Sequence, residues 1–364
     1  MTAGDGDGRF RLGVAGVGRM GRTHLAALAG SRQVRVTGLA EPDPAARAAA
    51  ARPGLPGFAT VTGLLAAGNL DGVLVAAPTS AHAPIVTEIA AAGLPVLCEK
   101  PCGLDAAQAQ ACAAAADGAG VLLQVAYWRR FVPELAALRQ RILAGELGRI
   151  LAVNCYQWDE APPGAAFRGA SGGIFADMGV HEFDQVRWLT GQEFGTLRVA
   201  AARPDAGEAG PASAGPPAPP GLTSADGATK ERRQSEEGRR RLSAARSEPA
   251  STGEASTDPD CGQVVAELDG GGTALISLGR WHPAGDTCRV EVFGTAGSAS
   301  VVFLPPGAGD GPFRAALRRQ AEDFAQAVLS GAPGQGASAG DAVTALDLAG
   351  QAAAQLTAPA YRGS

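Results

Sequence analysis

Short apolar runs alternate with alanine-rich stretches of helical character along residues 10–125, and this alternation limits the fold more than any other feature. Within each run polar and apolar residues do not alternate, which is typical of strands buried on both faces of a parallel sheet. The runs are Phe10–Gly16, Val34–Ala40, Gly72–Ala76, Pro95–Glu99 and Val121–Val125. The helices between them are predicted at Arg19–Gly30, Asp43–Arg52, Ala83–Gly93 and Asp105–Asp117. Residues 1–126 are therefore predicted to form an α/β domain with a doubly wound parallel sheet.

Residues 127–364 show a different pattern, which predicts a second domain of the α+β type. A helix at Val132–Ala144 precedes six short runs of strand character, two of them joined by a hairpin turn at Asp269–Gly272. The runs are Arg149–Trp158, Thr196–Ala201, Gly262–Leu268, Thr273–Arg280, Cys288–Phe293 and Ser298–Phe303. Two helices at Phe313–Leu329 and Asp341–Leu356 have apolar spacing that predicts packing back on the body. We expect a largely antiparallel open sheet with helices on one face.

The segment 203–260 interrupts the second domain and differs from it in composition. It holds a Pro-Pro-Ala-Pro-Pro stretch, many Ser, Ala and Gly residues and a run of mixed charge at Lys230–Arg241. Such a segment has too little apolar surface to offset chain entropy, so it is predicted to be a disordered insertion between two strands. Its arginines leave a docking or RNA-binding arm as an alternative, although glutamates lie between them and aromatic residues for base stacking are missing.

Charge and cysteine usage exclude several classes of function. The net charge is -5, so a basic surface for nucleic acid or an anionic membrane is not expected. The same charge makes small molecules or protein the expected partners. The chain has no run of 18 apolar residues and no basic-then-apolar leader, which predicts a cytoplasmic protein. Its six cysteines form no Cys-x-x-Cys pair and have no nearby histidine, which favours reduced, mostly buried thiols over disulfides or a zinc site. They are Cys98, Cys102, Cys112, Cys155, Cys261 and Cys288.

A glycine-rich turn follows the first predicted strand and leads directly into a helix. It reads Gly16-Val-Gly-Arg-Met-Gly21, and Glu41 ends the second strand twenty residues later. In a dinucleotide site Gly16 permits the tight turn, Gly18 lets a pyrophosphate approach the backbone, and Gly21 lets helix and sheet pack closely. Glu41 can accept hydrogen bonds from a ribose diol and would repel a 2′-phosphate, which favours NAD over NADP, although Arg19 could reach a phosphate. The alternative is a tight strand-to-helix turn that binds no ligand.

Lysine is rare in this chain, which draws attention to Lys100. The chain has two lysines against 29 arginines, and the other lysine, Lys230, lies in the low-complexity segment. Arginine cannot lose its proton near neutral pH, whereas lysine carries a compact charge and shifts its pKa readily. Pro101 keeps Lys100 out of helical geometry at the carboxyl edge of the predicted sheet, where it would face a bound cofactor. Lys100 is therefore a candidate catalytic residue, and the alternative is a surface lysine at a strand end.

Three polar residues of the second domain, Asp177, His181 and Asp184, form another candidate group. In an α-helix they would share one face, because His181 follows Asp177 at the fourth position and Asp184 follows His181 at the third. An aspartate beside a histidine holds the imidazole in one tautomer and raises its basicity, which suits removal of a proton from an alcohol. The alternative is an Asp–His pair with a structural role.

Four residues of the first domain allow both a structural and a functional explanation. Thr79 and Ser80 follow the third apolar run and would face the cofactor crevice, yet both are also ordinary helix N-cap residues. His82 opens the next predicted helix beside them. His24, in the first helix, is interpreted as a packed core or interface histidine.

Together these motifs resemble the Gfo/Idh/MocA oxidoreductases, and most of all their inositol-dehydrogenase-like branch. The resemblance rests on the stretch from Gly13 to His24, on Glu99-Lys100-Pro101 and on the stretch from Gly172 to Asp184. It covers nearly the whole chain outside the insertion, and it implies a Rossmann domain followed by a domain whose open sheet often forms the oligomer interface. The chain departs from inositol dehydrogenases at Tyr127-Trp128, because those proteins commonly carry Asn before the Arg-Arg-Phe sequence.

The resemblance also implies roles for individual residues. It makes Lys100, Asp177 and His181 catalytic, and no metal is expected because Lys100 supplies the electrophilic charge. The expected cofactor contacts are Gly16, Val17, Gly18, Arg19, Met20, Gly21, Glu41, Pro78, Thr79, His82, Glu99 and Lys100. The expected substrate contacts are Trp128, Arg129, Asp177 and His181.

We therefore expect an NAD(P)-dependent dehydrogenase that moves a hydride between nicotinamide and a secondary alcohol of a polyol or sugar-like substrate. His181 would accept the hydroxyl proton, Lys100 would stabilise the developing alkoxide, and Asp177 would orient His181 or bind a neighbouring hydroxyl. A homo-oligomer, either a dimer or a tetramer, is expected. One alternative is an imine or unsaturated-ring reductase of the same family, in which His181 would be dispensable. Another is a dinucleotide-sensing regulator without turnover.

Overall fold

The computed structural model describes residues 8–52, 54–202 and 258–357, which form two sheets covered by helices. Most of the predicted insertion, residues 203–257, lies outside the described residues. The predicted end of the insertion is wrong, because residues 258–260 belong to the folded structure. The N–H of Asp260 donates to the carbonyl oxygen of Ala202 at 3.2 Å, so the two ends of the segment meet across neighbouring strands.

The first sheet has seven strands, of which the six N-terminal ones are parallel, as predicted. The strands are β1 (Phe10–Ala15), β2 (Val34–Ala40), β3 (Gly57–Phe58), β4 (Gly72–Val75), β5 (Val96–Cys98), β6 (Leu123–Val125) and β13 (Ala337–Ser338). Their order across the sheet is β13-β6-β5-β4-β1-β2-β3, and β13 pairs antiparallel with β6. Every residue of β4 and β5 is buried, which explains their uniformly apolar sequences.

Five helices connect these strands: α1 (Arg19–Leu28), α2 (Pro44–Ala50), α3 (Val61–Ala66), α4 (His82–Ala91) and α5 (Ala106–Ala119). The side chains of Asp43, Thr60 and Asp105 accept backbone N–H groups in the first turns of α2, α3 and α5, which sets where these helices begin. Strand β3 and helix α3 were not predicted, because both are too short to show a period. The interpretation of Thr79 and Ser80 as N-caps is wrong, since α4 follows Ala81 and has no side-chain cap.

The second sheet has six strands and is largely antiparallel, as predicted. The strands are β7 (Ile150–Trp158), β8 (Phe194–Ala202), β9 (Cys261–Leu268), β10 (Thr273–Gly279), β11 (Thr287–Gly294) and β12 (Ser298–Leu304). Their order is β12-β11-β7-β10-β9-β8, with β7 and β10 as the parallel pair. Buried and more exposed residues alternate along β9 and β11, so one face of the sheet is covered and the other is open. The helices of this region are α6 (Pro133–Leu143), α7 (Ala165–Ala170) and α8 (Val180–Thr190).

Two long helices near the end of the described chain, α9 (Gly311–Ser330) and α10 (Ala339–Thr357), pack back on the body, as predicted. Helix α9 contacts α1, and the ring of Phe324 lies edge-on to that of Phe10 with 5.8 Å between centroids. Helix α10 contacts both α5 and α8, and therefore bridges the two halves of the chain. No helix within the described ranges is long and apolar enough to cross a membrane.

Candidate active site

The glycine-rich turn lies between β1 and α1, at the carboxyl edge of the first sheet. Gly16 has a φ of +93°, and a Cβ there would lie 2.6 Å from the backbone nitrogen of Ala77. A Cβ on Gly21 would collide with the carbonyl oxygen of Gly16, so the helix packs directly on the turn. A Cβ on Gly18 would meet no atom within 4 Å, and no side chain caps the start of α1. The turn therefore leaves open space in front of a helix N-terminus, the kind of position at which proteins bind phosphate groups.

Glu41 follows β2 and lies next to the glycine-rich turn. One of its carboxylate oxygens accepts the N–H of Val17 at 2.9 Å, and the other accepts the N–H of Asp43 at 3.1 Å. The guanidinium of Arg47 donates to the backbone carbonyl oxygen of Glu41. The carboxylate is thus anchored beside the turn, and it shares this corner with a basic residue that the sequence analysis did not take into account.

The other residues predicted to contact a cofactor surround the same edge. Arg19 and Met20 begin α1, while Pro78 and Thr79 follow β4. His82 is buried instead, with Nδ1 lying 2.8 Å from the carbonyl oxygen of Pro101. The structure therefore places four of these residues where a ligand could reach them, whereas the imidazole of His82 already contacts the protein.

His24 is a buried core histidine, as interpreted from the sequence, and its partner is Glu99. The distance from His24 Nε2 to Glu99 Oε1 is 2.6 Å, and the second carboxylate oxygen of Glu99 accepts the N–H of Lys100 at 3.1 Å. Burial raises the pKa of Glu99, but the hydrogen bond with His24 and the electrostatic attraction of His24, Lys100 and His82 together outweigh it, so the pKa lies below its usual value. The predicted cofactor residue Glu99 is thus an ionised carboxylate whose two oxygens both contact protein groups.

Lys100 follows β5, and its side chain reaches the second domain. Nζ donates to the carbonyl oxygen of Asp177 at 2.6 Å and lies 3.3 Å from the carboxylate oxygen Oδ1 of the same residue. The side chains of Lys100 and Asp177 remain 20% and 15% exposed, so a ligand can reach the pair. The structure therefore brings two of the three predicted catalytic residues into direct contact.

Asp177 does not lie on a regular α-helix, which corrects the sequence analysis. Phe175–Gly179 form a π-helical turn, and α8 begins after it. A π-helical turn contains more residues than an α-helical one, so a spacing of four no longer places two side chains one above the other. The described residues show no hydrogen bond between Asp177 and His181. The expectation that Asp177 orients His181 is therefore wrong, because its carboxylate faces Lys100.

His181 lies close to this pair in an aromatic environment. Its ring packs edge-on against Tyr127 and Trp128, with centroid distances of 5.8 and 6.4 Å. The side chain is buried, and its Nδ1 has no hydrogen-bond partner in the part of the chain that the structure describes. Burial, together with the positive charges of Lys100 and Arg129, lowers the pKa of His181 well below its usual value. The imidazole is therefore neutral at pH 7, the state that can accept a proton.

Asp184 and Arg129 have structural partners that the sequence analysis did not foresee. Asp184 forms a buried ion pair with Arg130 at 2.5 Å. It lies three residues after His181 in α8 and so shares a helix face with it, as predicted, whereas Asp177 lies outside α8 in the π-helical turn. Nη1 of Arg129 lies 2.6 Å from Oε2 of Glu182, and both side chains are buried. A substrate contact by Arg129 or Trp128 stays a prediction.

Arg280 is a functional candidate that the sequence analysis missed. It follows β10 and is fully buried. Its Nη2 lies 2.9 Å from Oδ2 of Asp258 and 4.0 Å from Oδ2 of Asp177. Asp258 in turn accepts the N–H of Ile174 at 2.7 Å, which ties the chain preceding β9 to the π-helical turn. The sequence feature that could have identified Arg280 is its position at the end of a predicted strand of the second sheet.

Asp159 is a second residue that the sequence analysis missed. It follows β7, the strand beside β10, and lies near the Lys100–Asp177 pair. Burial and the carboxylates of Asp286 and Asp177 raise the pKa of Asp159 to about 6. The positive charges of Lys100 and Arg280 oppose this shift without cancelling it. The site therefore contains a carboxyl group that exchanges its proton close to neutral pH.

One thiol contacts a residue of this arrangement, because Sγ of Cys288 lies 3.7 Å from Nη2 of Arg129. All six cysteines are free, and all but Cys261 are buried, as predicted. Burial raises the pKa of Cys288 to about 12, so that thiol stays protonated at neutral pH. Within the described ranges, no three His, Cys, Asp or Glu side chains are arranged to hold a metal ion.

The amino-acid sequence matches two protein-family models. Residues 10–127 match an oxidoreductase family with an NAD-binding Rossmann fold, and residues 135–300 match the GFO/IDH/MocA C-terminal domain. Among solved structures, the scyllo-inositol dehydrogenase of Lactobacillus casei with bound NAD(H) and scyllo-inositol has a TM-score of 0.73 at 20% identity. The match covers 95% of this chain and 96% of that chain, and it shows a shared fold.

Two curated proteins are similar over most of their length. The Rhizopine catabolism protein MocA of Rhizobium meliloti is 44% identical over 348 residues, which cover 96% of this chain and 95% of that protein. The Myo-inositol dehydrogenase Hyg17 of Streptomyces leeuwenhoekii is 34% identical over 290 residues, which cover 79% of this chain and 75% of that protein. With its glycine-rich turn and its Lys100–Asp177 contact, the chain belongs to the Gfo/Idh/MocA family of oxidoreductases, whose N-terminal domain is an NAD-binding Rossmann fold.

Proposed function

We propose that the protein oxidises a secondary ring alcohol of a cyclic polyol with NAD, in a reversible reaction. The observation that carries this proposal is the contact of Lys100 Nζ with Asp177, with the neutral imidazole of His181 close by. The names of the relatives support the substrate class, because they include inositol dehydrogenases. The relative named for rhizopine catabolism makes a rhizopine a second substrate candidate.

The three side chains divide the reaction between them. Oxidation of the alcohol removes a hydride from the carbon and a proton from the oxygen, and bound NAD would take the hydride. His181 accepts the proton, since the neutral imidazole has a free electron pair on one nitrogen. The ammonium of Lys100 donates a hydrogen bond to the same oxygen and stabilises the negative charge that develops there. Asp177 holds the ammonium in place from the side of the second domain.

The cofactor would lie along the carboxyl edge of the first sheet. The backbone of the glycine-rich turn would hold the pyrophosphate, since Gly18 leaves open space before α1. Glu41 would accept hydrogen bonds from the ribose diol and would repel a 2′-phosphate. This arrangement supports NAD over NADP, although Arg47 lies next to the backbone of Glu41.

Replacing Glu41 with alanine is expected to reduce the ratio by which the protein binds NAD more tightly than NADP. Loss of the carboxylate removes hydrogen bonds to the ribose and the repulsion of a 2′-phosphate, and leaves the guanidinium of Arg47 nearby. Hydrogen bonds to a charged group contribute about 1.5–3 kcal/mol, so the Kd for NAD should rise by about tenfold or more. Calorimetric Kd values for NAD and NADP with both proteins check this. Equal or reversed affinities in the unmodified protein would contradict the assignment of Glu41.

A substrate screen tests the proposed function directly. Purified protein is mixed with NAD and with myo-inositol, scyllo-inositol or a rhizopine, and the absorbance of NADH is followed, with Lys100→Ala as the matched control. We expect NADH from at least one cyclic polyol, and we expect the control to form it far more slowly. A protein that binds NAD but acts only on imines or unsaturated rings would instead be the alternative reductase of the same family. One that binds NAD without any turnover would be a regulator.

The activity is expected to depend on pH through Asp159. Below pH 6 its carboxylate gains a proton, which removes a negative charge near Lys100 and an acceptor for a substrate hydroxyl. We expect kcat/KM to fall as the pH decreases through about 6, and this step to be missing in Asp159→Asn. A pH profile of kcat/KM for both proteins between pH 5 and pH 9 is the measurement. The same step in Asp159→Asn would assign it to another group.

We also propose that the protein is a homo-oligomer that associates through the open face of its second sheet. Val265, Phe293 and Val302 expose 52%, 42% and 51% of their surface on three strands of that sheet. Exposed apolar side chains on one face are typical of an interface between copies. Val302→Asp is expected to shift the molar mass from that of a dimer or tetramer to that of the monomer in light scattering. A monomeric unmodified protein would contradict this.

A further inference from the structure

Two buried histidines of the first domain lie on either side of Lys100. His24, one turn along α1, contacts the carboxylate of Glu99, and that carboxylate accepts the backbone N–H of Lys100 at 3.1 Å. On the other side, Nδ1 of His82 lies 2.8 Å from the carbonyl oxygen of Pro101. The backbone around Lys100 is therefore held on both sides, at the N–H of Lys100 through Glu99 and at the carbonyl oxygen of Pro101 through His82.

Each histidine connects the Lys100 segment to a different part of the cofactor edge. His24 belongs to α1, whose first turn follows Gly18, so Glu99 joins that helix to Lys100. The second ring nitrogen of His82 lies 2.8 Å from the carbonyl oxygen of Ala77, in the segment after β4. Both histidines are buried, with 0% and 1% of their surface exposed. The connections are therefore fixed by packing as well as by hydrogen bonds.

A buried carboxylate that contacts a histidine adds little to the stability of a fold, because the cost of removing its charge from water offsets most of the attraction. A catalytic group, in contrast, loses activity when it is displaced by even a small distance, and a shift of about 1 Å can reduce the rate about 100-fold. The lysine side chain is flexible, and its ammonium is held at the far end by Asp177. Precise placement of Nζ therefore also requires a fixed backbone at Lys100.

We propose that His24 and Glu99 are positioning residues for Lys100, and that their buried pair holds the lysine backbone so that Nζ meets both Asp177 and the substrate oxygen. This inference rests on the proposed function of Lys100. His24 and Glu99 act through the lysine and do not touch the reacting atoms. Their effect should therefore fall on the chemical step and leave the binding of NAD nearly unchanged.

The test compares His24→Ala with His24→Gln. We expect His24→Ala to lower kcat about 10- to 100-fold, with the KM for the polyol and the Kd for NAD changed less than threefold. The deuterium isotope effect on kcat, measured with the ring-deuterated inositol that the screen identifies, should rise because hydride transfer becomes slower than product release. His24→Gln places an amide N–H that can donate to Glu99, and it should recover at least part of the loss.

A matched control separates positioning from general stability. Asp71 and Arg11 form an ion pair of 2.6 Å at the opposite edge of the same sheet, and Asp71→Asn removes it. This variant is expected to lower Tm without changing kcat per NAD-binding site or the isotope effect. If His24→Ala behaves like Asp71→Asn, the pair is structural and the inference is overturned. If Lys100→Ala itself keeps normal turnover, the proposed function fails instead. A slow Lys100→Ala with an unimpaired His24→Ala overturns the inference alone.

Discussion

Replacing Lys100 with alanine is expected to slow NADH formation from the polyol by about 10²- to 10³-fold, the usual effect of removing one donor that stabilises a developing negative charge. Nζ is held by the carbonyl oxygen of Asp177 at 2.6 Å, so its position before the reaction is already fixed. The Kd for NAD should stay nearly the same, because the residues expected to hold the pyrophosphate lie in the glycine-rich turn. Steady-state kinetics and calorimetry with NAD separate these two effects.

Lys100→Arg is the matched variant, because it keeps the positive charge. A guanidinium is planar and longer than an ammonium, so it cannot point its charge at the same oxygen while it also contacts Asp177. We expect this variant to be severely slowed as well. Near-normal turnover of Lys100→Arg would mean that charge alone is sufficient, and that the compact donor proposed here is not required.

His181→Ala is expected to reduce kcat by about 10²- to 10⁴-fold, the usual contribution of a positioned acid–base group. The pKa of His181 lies well below its usual value, so the imidazole is neutral throughout the neutral range and needs no deprotonation before it accepts the hydroxyl proton. The measurement is kcat for polyol oxidation at pH 7, with the Kd for NAD as the control for folding of the first domain.

A second variant controls for packing around His181. The ring fills space beside Tyr127 and Trp128, so His181→Ala also leaves a cavity. His181→Gln keeps more of the volume but lacks a group that accepts a proton, and it should be slowed as strongly as His181→Ala. If both variants turn over nearly normally, the histidine is dispensable and the imine or unsaturated-ring reductase is favoured.

The first sheet could be predicted closely because each of its longer strands is a separate apolar run. The bounds of β2 agree with the predicted Val34–Ala40, and α1 begins at the predicted Arg19. The short β3 and α3 were missed because two and six residues show no period. The contribution of β13 to the first sheet was also missed, because it depends on how the two long C-terminal helices pack.

The site could be predicted only in part, because much of it depends on contacts between distant segments. Lys100 and Asp177 were identified separately, from the rarity of lysine and from a helical spacing. A regular helix would place Asp177 one turn before His181, but the π-helical turn at Phe175–Gly179 places Asp177 against the lysine instead. Arg280 and Asp159 follow strands of the second sheet, and only the parallel pairing of β7 with β10 brings their ends together.

A double-mutant cycle tests the central claim that Lys100 and His181 act on one oxygen in one step. Single-turnover rates of NADH formation are measured for the unmodified protein, Lys100→Ala, His181→Ala and the double variant, with saturating NAD and the same polyol. Because both residues serve one proton and one developing charge, the double variant should be about as slow as the slower single variant. Losses that multiply, so that each substitution has its full effect in the presence of the other, would contradict the account.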